Sequence, residues 1–129
     1  MKVKTADLIG PALDWAVAKC KGKDIEFDDP RDPWLVVDGI ADQPLHSYTP
    51  SSDWSHGGPL IEREGIEVVR GNDLIFPKGN EKGEYTEPLW LASCGGGRKF
   101  HGQTPLIAAM RTFVASKLSD EVEIPEKLL

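Results

Sequence analysis

Asp53-Trp54-Ser55-His56-Gly57-Gly58-Pro59 places a carboxylate, an indole and an imidazole beside a glycine-proline bend. A large amphipathic ring on such a bend suits recognition of another molecule. Asp53 and His56, held within hydrogen-bond reach in a pocket, would instead act as acid and base toward a small substrate. Each residue also has a plainer use: Trp54 in a core, Asp53 as a helix-capping acid, Gly57-Gly58 as a helix stop.

Other residues with chemical potential lack the spacing that chemistry requires. Gly95-Gly96-Gly97-Arg98-Lys99 offers backbone N–H groups and two cations to an anion. It has no following Lys-Ser or Lys-Thr and opens no βαβ unit, so a surface loop is the favoured reading. Cys94 and His101 supply a thiol and a base, but the glycine-rich loop between them fixes no geometry. His46, His56 and His101 with Asp53 contain neither a helical i, i+4 pair nor a Cys-x-x-Cys partner, which argues against zinc. Asp28, Asp29 and Asp32 do not follow the calcium-loop pattern. No catalytic residue, metal site or cofactor is therefore expected.

A chain of 129 residues suits one domain over residues 1–129, long enough to bury a single core. Its 21 acidic and 15 basic residues give a formal charge of -6, a field that repels phosphate backbones and anionic membrane surfaces. Generic nucleic-acid binding is disfavoured on that ground, and no segment approaches the roughly 20 apolar residues of a membrane span. Cys20 and Cys94, far apart and in unlike contexts, fit reduced thiols better than a disulfide framework, one bridge between them being the alternative, and no apolar run follows Met1-Lys2-Val3-Lys4-Thr5. The expected compartment is the cytoplasm.

The elements that would position the Trp54 cluster follow from periodicity and punctuation. Thr5 reads as an N-cap for a helix over 6–21, broken or kinked at Gly10-Pro11. Residues 23–33 read as a loop and Trp34 to Val37 as a short strand, with no periodicity from Ala41 to Ser47. Pro50 to Trp54 suits a short helical turn that Gly57-Gly58-Pro59 stops. Ile66 to Arg70 reads as a strand, which Gly71-Asn72-Asp73 turns back into Leu74-Ile75-Phe76, and Pro88 to Ala92 gives a last apolar run. Thr104-Pro105 opens an amphipathic helix to about Leu118, with Leu106, Ile107, Met110, Phe113 and Val114 facing the core. Its reverse face, Ala108, Ala109, Thr112, Ala115 and Ser116, meets either the alanines of the first helix or another chain. The fold class is α+β: a small antiparallel sheet of three to four short strands against two main helices, about 6–21 and 105–118.

Three blocks carry a family resemblance. The first is Met1 to Thr5 with Leu13-Asp14-Trp15-Ala16-Val17-Ala18-Lys19, and the second is Tyr48 with Pro50-Ser51 and Gly57 to Glu64. The third runs from Thr104 to Arg111 and Val114 to Leu118, then Asp120-Glu121-Val122 and Ile124-Pro125. Together they resemble the NinX-like family of small bacteriophage and prophage proteins, while residues 23–46 and 71–102 fall outside the pattern. The resemblance implies a phage accessory protein, encoded among often dispensable genes and acting on the host or in early lytic development, in the cytoplasm of the bacterial host. It carries over no catalytic residue.

The expected function is thus a non-enzymatic interaction module that binds a host or phage protein. Its candidate binding residues are Trp15, Asp53, Trp54, His56, Gly57, Gly58, Arg63, Thr104 and Arg111. A homodimer through the small-residue face is a further arrangement. The alternative is a small ligand-binding protein or enzyme with a pocket around Asp53 and His56.

Overall fold

Thr104 starts the central helix: its hydroxyl accepts the Ile107 N–H at 3.1 Å, and Pro105 occupies a position where a missing N–H costs no helical bond. The computed structural model describes residues 1–22, 24–26, 34–37, 40–70 and 90–129. Its elements are β1 (Lys2–Lys4), α1 (Gly10–Cys20), β2 (Asp24–Glu26), β3 (Trp34–Val37), β4 (Ile40–Pro44), α2 (Trp54–Glu64), β5 (Ile66–Arg70), β6 (Trp90–Cys94), β7 (Phe100–Gly102), α3 (Pro105–Lys117) and β8 (Glu121–Glu123). Short 3-10 turns lie at Thr5–Asp7, Leu45–Ser47 and Glu126–Leu128. The architecture is α+β, with three α-helices and small antiparallel sheets.

α3 is buried on every side over most of its length rather than amphipathic. It packs against β5, β6 and β7 on one side and α1 and α2 on others. Ala108, Ala109 and Thr112 are buried inside the chain, and the Thr112 hydroxyl lies 3.1 Å from the Ala92 carbonyl of β6 and 3.0 Å from the Ala108 carbonyl. Small side chains there let helix and sheet approach closely. Phe113, Met110, Leu13, Val17, Leu8 and Ile124 fill the centre.

The helix expected over 6–21 is divided. Thr5–Asp7 forms a 3-10 turn, Gly10 makes the corner at φ +59, and α1 follows with Ala12 to Ala18 all buried. Thr5 does not cap it. The Thr5 hydroxyl donates to Ser119 O at 2.6 Å and its N–H to Asp120 O at 2.8 Å, fastening the turn to the end of the chain. β1 pairs antiparallel with β8, setting Lys2 opposite Glu123 and Lys4 opposite Glu121.

β5, β6 and β7 form an antiparallel sheet in that order, with Ile66 opposite Cys94, Arg70 opposite Trp90, and Trp90 opposite Gly102. The β6–β7 turn is closed by Gly97 N–H to Cys94 O at 3.0 Å, and Gly95 and Gly96 both take positive φ. The observed partner of β5 is β6; the Leu74 to Phe76 strand expected to pair with it lies outside the described residues. A second antiparallel sheet has the order β2-β3-β4, so residues 24–26, read as part of a loop, and 41–44, read as aperiodic, belong to strands, the latter held by β3 across an irregular register at Leu35/Val36.

Candidate functional site

α2 does not stop at Gly57-Gly58-Pro59. Asp53 caps it, its carboxylate accepting the Ser55 N–H at 2.9 Å and the Ser55 hydroxyl at 2.7 Å; the helix then runs to Glu64, where Gly65 ends it in the left-handed region at φ +63. Leu60 is buried beneath it and supplies the tertiary anchor that outweighs the proline. Gly57 is a packing residue. A Cβ there would lie 2.5 Å from Pro50 O and 2.7 Å from Leu106 Cδ2, so α2 and α3 meet only because that position has no side chain. A Cβ on Gly58 would meet only Trp54 Cε3, at 3.9 Å.

The segment leading into α2 is tied at several points. Thr49 O accepts from Ser52 and Asp53, and the Thr49 N–H donates to His56 Nδ1 at 3.1 Å. That bond uses the Nδ1 lone pair, so the neutral ring carries its proton on Nε2. Asp53 Oδ2 stands 3.9 Å from the same nitrogen, and the His56 ring lies against Tyr48 with centroids 5.3 Å apart. Ser51 N–H donates to Asp14 Oδ1 at 2.9 Å, joining the segment to α1.

Asp14, one acid within the otherwise apolar Leu13 to Ala18, is only 5% exposed. Burial raises its pKa, while hydrogen bonds from Ser51 and the nearby His56 oppose the rise. Burial pushes the Tyr48 hydroxyl up to about 12. Asp53 moves the other way, its carboxyl lowered by the two Ser55 hydrogen bonds. Sequence reasoning passed over Asp14 as a site residue; the signal for it was a carboxylate flanked on both sides by a buried apolar run.

The candidate residues fall in four places, and Gly57 counts both at the start of α2 and among the residues that serve the fold. Asp53, Trp54, His56, Gly57 and Gly58 share the first turns of α2, where Trp54 is 56% exposed. Trp15, Gly57 and Thr104 serve the fold: Trp15 is buried in α1 with Lys19 Nζ 5.8 Å from its ring, and Thr104 caps α3. Arg63 is exposed, nine residues beyond Trp54 and so on the opposite side of α2, with its Nε 3.5 Å from Glu64.

Arg111 is buried elsewhere, 9% exposed, its Nε donating to Leu8 O and its Nη1 to His101 O, each at 2.8 Å. It lines a cavity of about 430 Å³ with Ala6, Asp7, Ile9, Gln103 and Ile107. A smaller cavity of about 170 Å³ lies between Cys94, Phe100, Thr112 and Ser116. At its rim Arg98 is occupied by Asp120 at 2.7 Å and lies over the Phe100 ring, so this cation of the glycine loop already has partners. Cys94 donates to Glu64 O at 3.4 Å and falls on the opposite strand face from His101, the partner of Leu91. Among the described residues, no group of three or more His, Cys, Asp or Glu side chains is arranged to hold a metal ion, and no helix is long and apolar enough to cross a membrane.

No curated protein matches this chain. The family model described as Bacteriophage P22, NinX matches residues 4–117, a span that contains α1, α2, α3 and the whole Trp54 cluster. The chain belongs to the phage P22 NinX family.

Proposed function

We propose that this phage accessory protein acts as one domain in the cytoplasm of the bacterial host, binding a host or phage protein through the exposed start of α2 and performing no chemistry of its own. Trp54 carries the reading. Its side chain is 56% exposed while the backbone beneath it is tied through Asp53, Thr49–His56 and Ser51–Asp14. An indole presented on a fixed base brings a large contact area with little further loss of rotamer freedom, which is why tryptophan dominates binding energetics. Asp53 and His56 flank it as polar rim groups, each with an internal hydrogen bond. Membership of the phage family supports the setting.

The test compares tagged parent and Trp54→Ala protein recovered from infected cells, with quantified partners and a thermal melt of each. Loss of at least one partner by about tenfold or more, with the melt unchanged, is expected for a buried-anchor tryptophan. A folded Trp54→Ala protein that keeps every partner of the parent would sink the assignment.

A further inference from the structure

We propose that the cavity between the Thr5–Asp7 turn, the end of β7 and α3 binds a singly charged carboxylate on an apolar stem, with Arg111 as its cation. Arg111 is 9% exposed, and the plane of its guanidinium is fixed by the Leu8 and His101 carbonyls. Two of its five N–H donors are used in those bonds, and among the described residues no carboxylate is in ion-pair contact with it. Asp7 acts on this buried cation through space without pairing with it, so its hydrogen-bond partners among the described residues are neutral carbonyls alone, and a carboxylate accepting from the free edge of the fork would complete it.

The walls say what kind of carboxylate. Ile9 and Ile107 supply apolar surface, and Gln103 adds a polar contact. Ile9 is 55% exposed and stands at the N-cap of α1, where it makes no side-chain capping bond. A large apolar side chain there serves neither the core nor the helix, but it lines this cavity. Asp7, also in the lining, penalises a dianion more than a monoanion, which selects against phosphate. The volume of about 430 Å³ suits a small ligand or the end of a peptide.

The full chain, titrated with hexanoate, hexanamide and inorganic phosphate, is read by the amide shifts of Gly102 and Gln103 and the Arg111 Nε–H signal. Saturable shifts with hexanoate are expected, with hexanamide and phosphate weaker by about tenfold or more. Ile9→Asp places a negative charge at the cavity and a capping acid on α1, so hexanoate affinity should fall about tenfold or more while the melt does not fall. Arg111→Lys keeps the charge but loses the fork and should weaken hexanoate similarly. A short peptide ending in leucine, with a free or an amidated terminus, identifies the source. Tighter binding of the free-ended peptide than of hexanoate assigns a chain end, and the reverse assigns a free acid. Hexanamide binding as well as hexanoate, phosphate binding as tightly, an Ile9→Asp protein with unchanged affinity, or no saturable response to any carboxylate overturns the proposal.

Discussion

Gly57→Ala and Gly58→Ala are neighbouring substitutions in one helix whose effects on stability should have opposite signs. Within a helix, alanine is preferred to glycine by about 1 kcal/mol, so each change starts from that gain. At position 57 the new Cβ would stand 2.5 Å from Pro50 O and 2.7 Å from Leu106 Cδ2. Leu106 is buried and the Pro50 segment is bound to α1 through Ser51 and Asp14, so neither neighbour gives way cheaply. Overpacking of a core costs about 1–3 kcal/mol, and a clash involving backbone belongs at the upper end, leaving a net loss of about 2 kcal/mol. For a chain of this size that lowers the melting temperature by about 6–10 °C. At position 58 the new Cβ meets only Trp54 Cε3 at ordinary contact distance. A gain of about 0.5–1 kcal/mol should survive there, raising the melt by about 2–4 °C. Circular dichroism melts with urea unfolding as a second readout decide the matter. A Gly57→Ala protein that melts at or above the parent would refute the close approach of α2 to Pro50 and Leu106.

Two further outcomes follow from buried titratable groups. Because burial raises the Asp14 pKa, the folded chain holds that proton more tightly than the unfolded chain, and stability from this group falls as pH rises past 3.8 toward the raised value. Asp14→Asn keeps an acceptor for the Ser51 N–H, so urea unfolding should show its advantage over the parent growing with pH across that interval; a flat or shrinking difference contradicts the assignment. Burial also pushes the Cys20 thiol up to about 12, so iodoacetamide at pH 8 should modify Cys20 only after unfolding, as mass spectrometry of native and urea-treated protein will report.

The features legible in sequence were those set by local rules. Thr104-Pro105 announces α3 by capping and proline placement alone, Gly10-Pro11 announces the break before α1, and the Ile66 to Arg70 and Trp34 to Val37 runs are strands because β-branched or aromatic residues cluster there. What local rules cannot convey is a glycine chosen by a distant neighbour. Gly57 reads as a stop until Pro50 and Leu106 are seen against it. Gly102 likewise closes β7, where a Cβ would stand 2.6 Å from Ala108 N. β1, β7 and β8 have three residues each, too few for a period of two to emerge. In the site, the adjacency of Asp53, Trp54 and His56 was visible in the sequence. The Asp14–Ser51 bond spans 37 residues, and the burial of Trp15 depends on what α1 packs against.

Leu106 and Ile107 are successive residues of α3 and therefore point about 100° apart. Leu106 abuts the Gly57 position of α2, whereas Ile107 approaches Gly102 and lines the Arg111 cavity. One turn of α3 thus holds both the base of the Trp54 platform and a wall of the proposed carboxylate site. A substitution that pushes on Leu106 will disturb both, so lost binding in a Gly57→Ala protein would not report on Trp54. Trp54→Ala removes exposed atoms and leaves that junction intact, and Ile9→Asp adds charge at an exposed cap without touching α2. If the two surfaces are separate sites, Trp54→Ala should lose the protein partner while hexanoate titrates as in the parent, and Ile9→Asp should do the reverse. Loss of both activities in either single variant, with the melt preserved, would mean that one ligand spans the α2 platform and the cavity together.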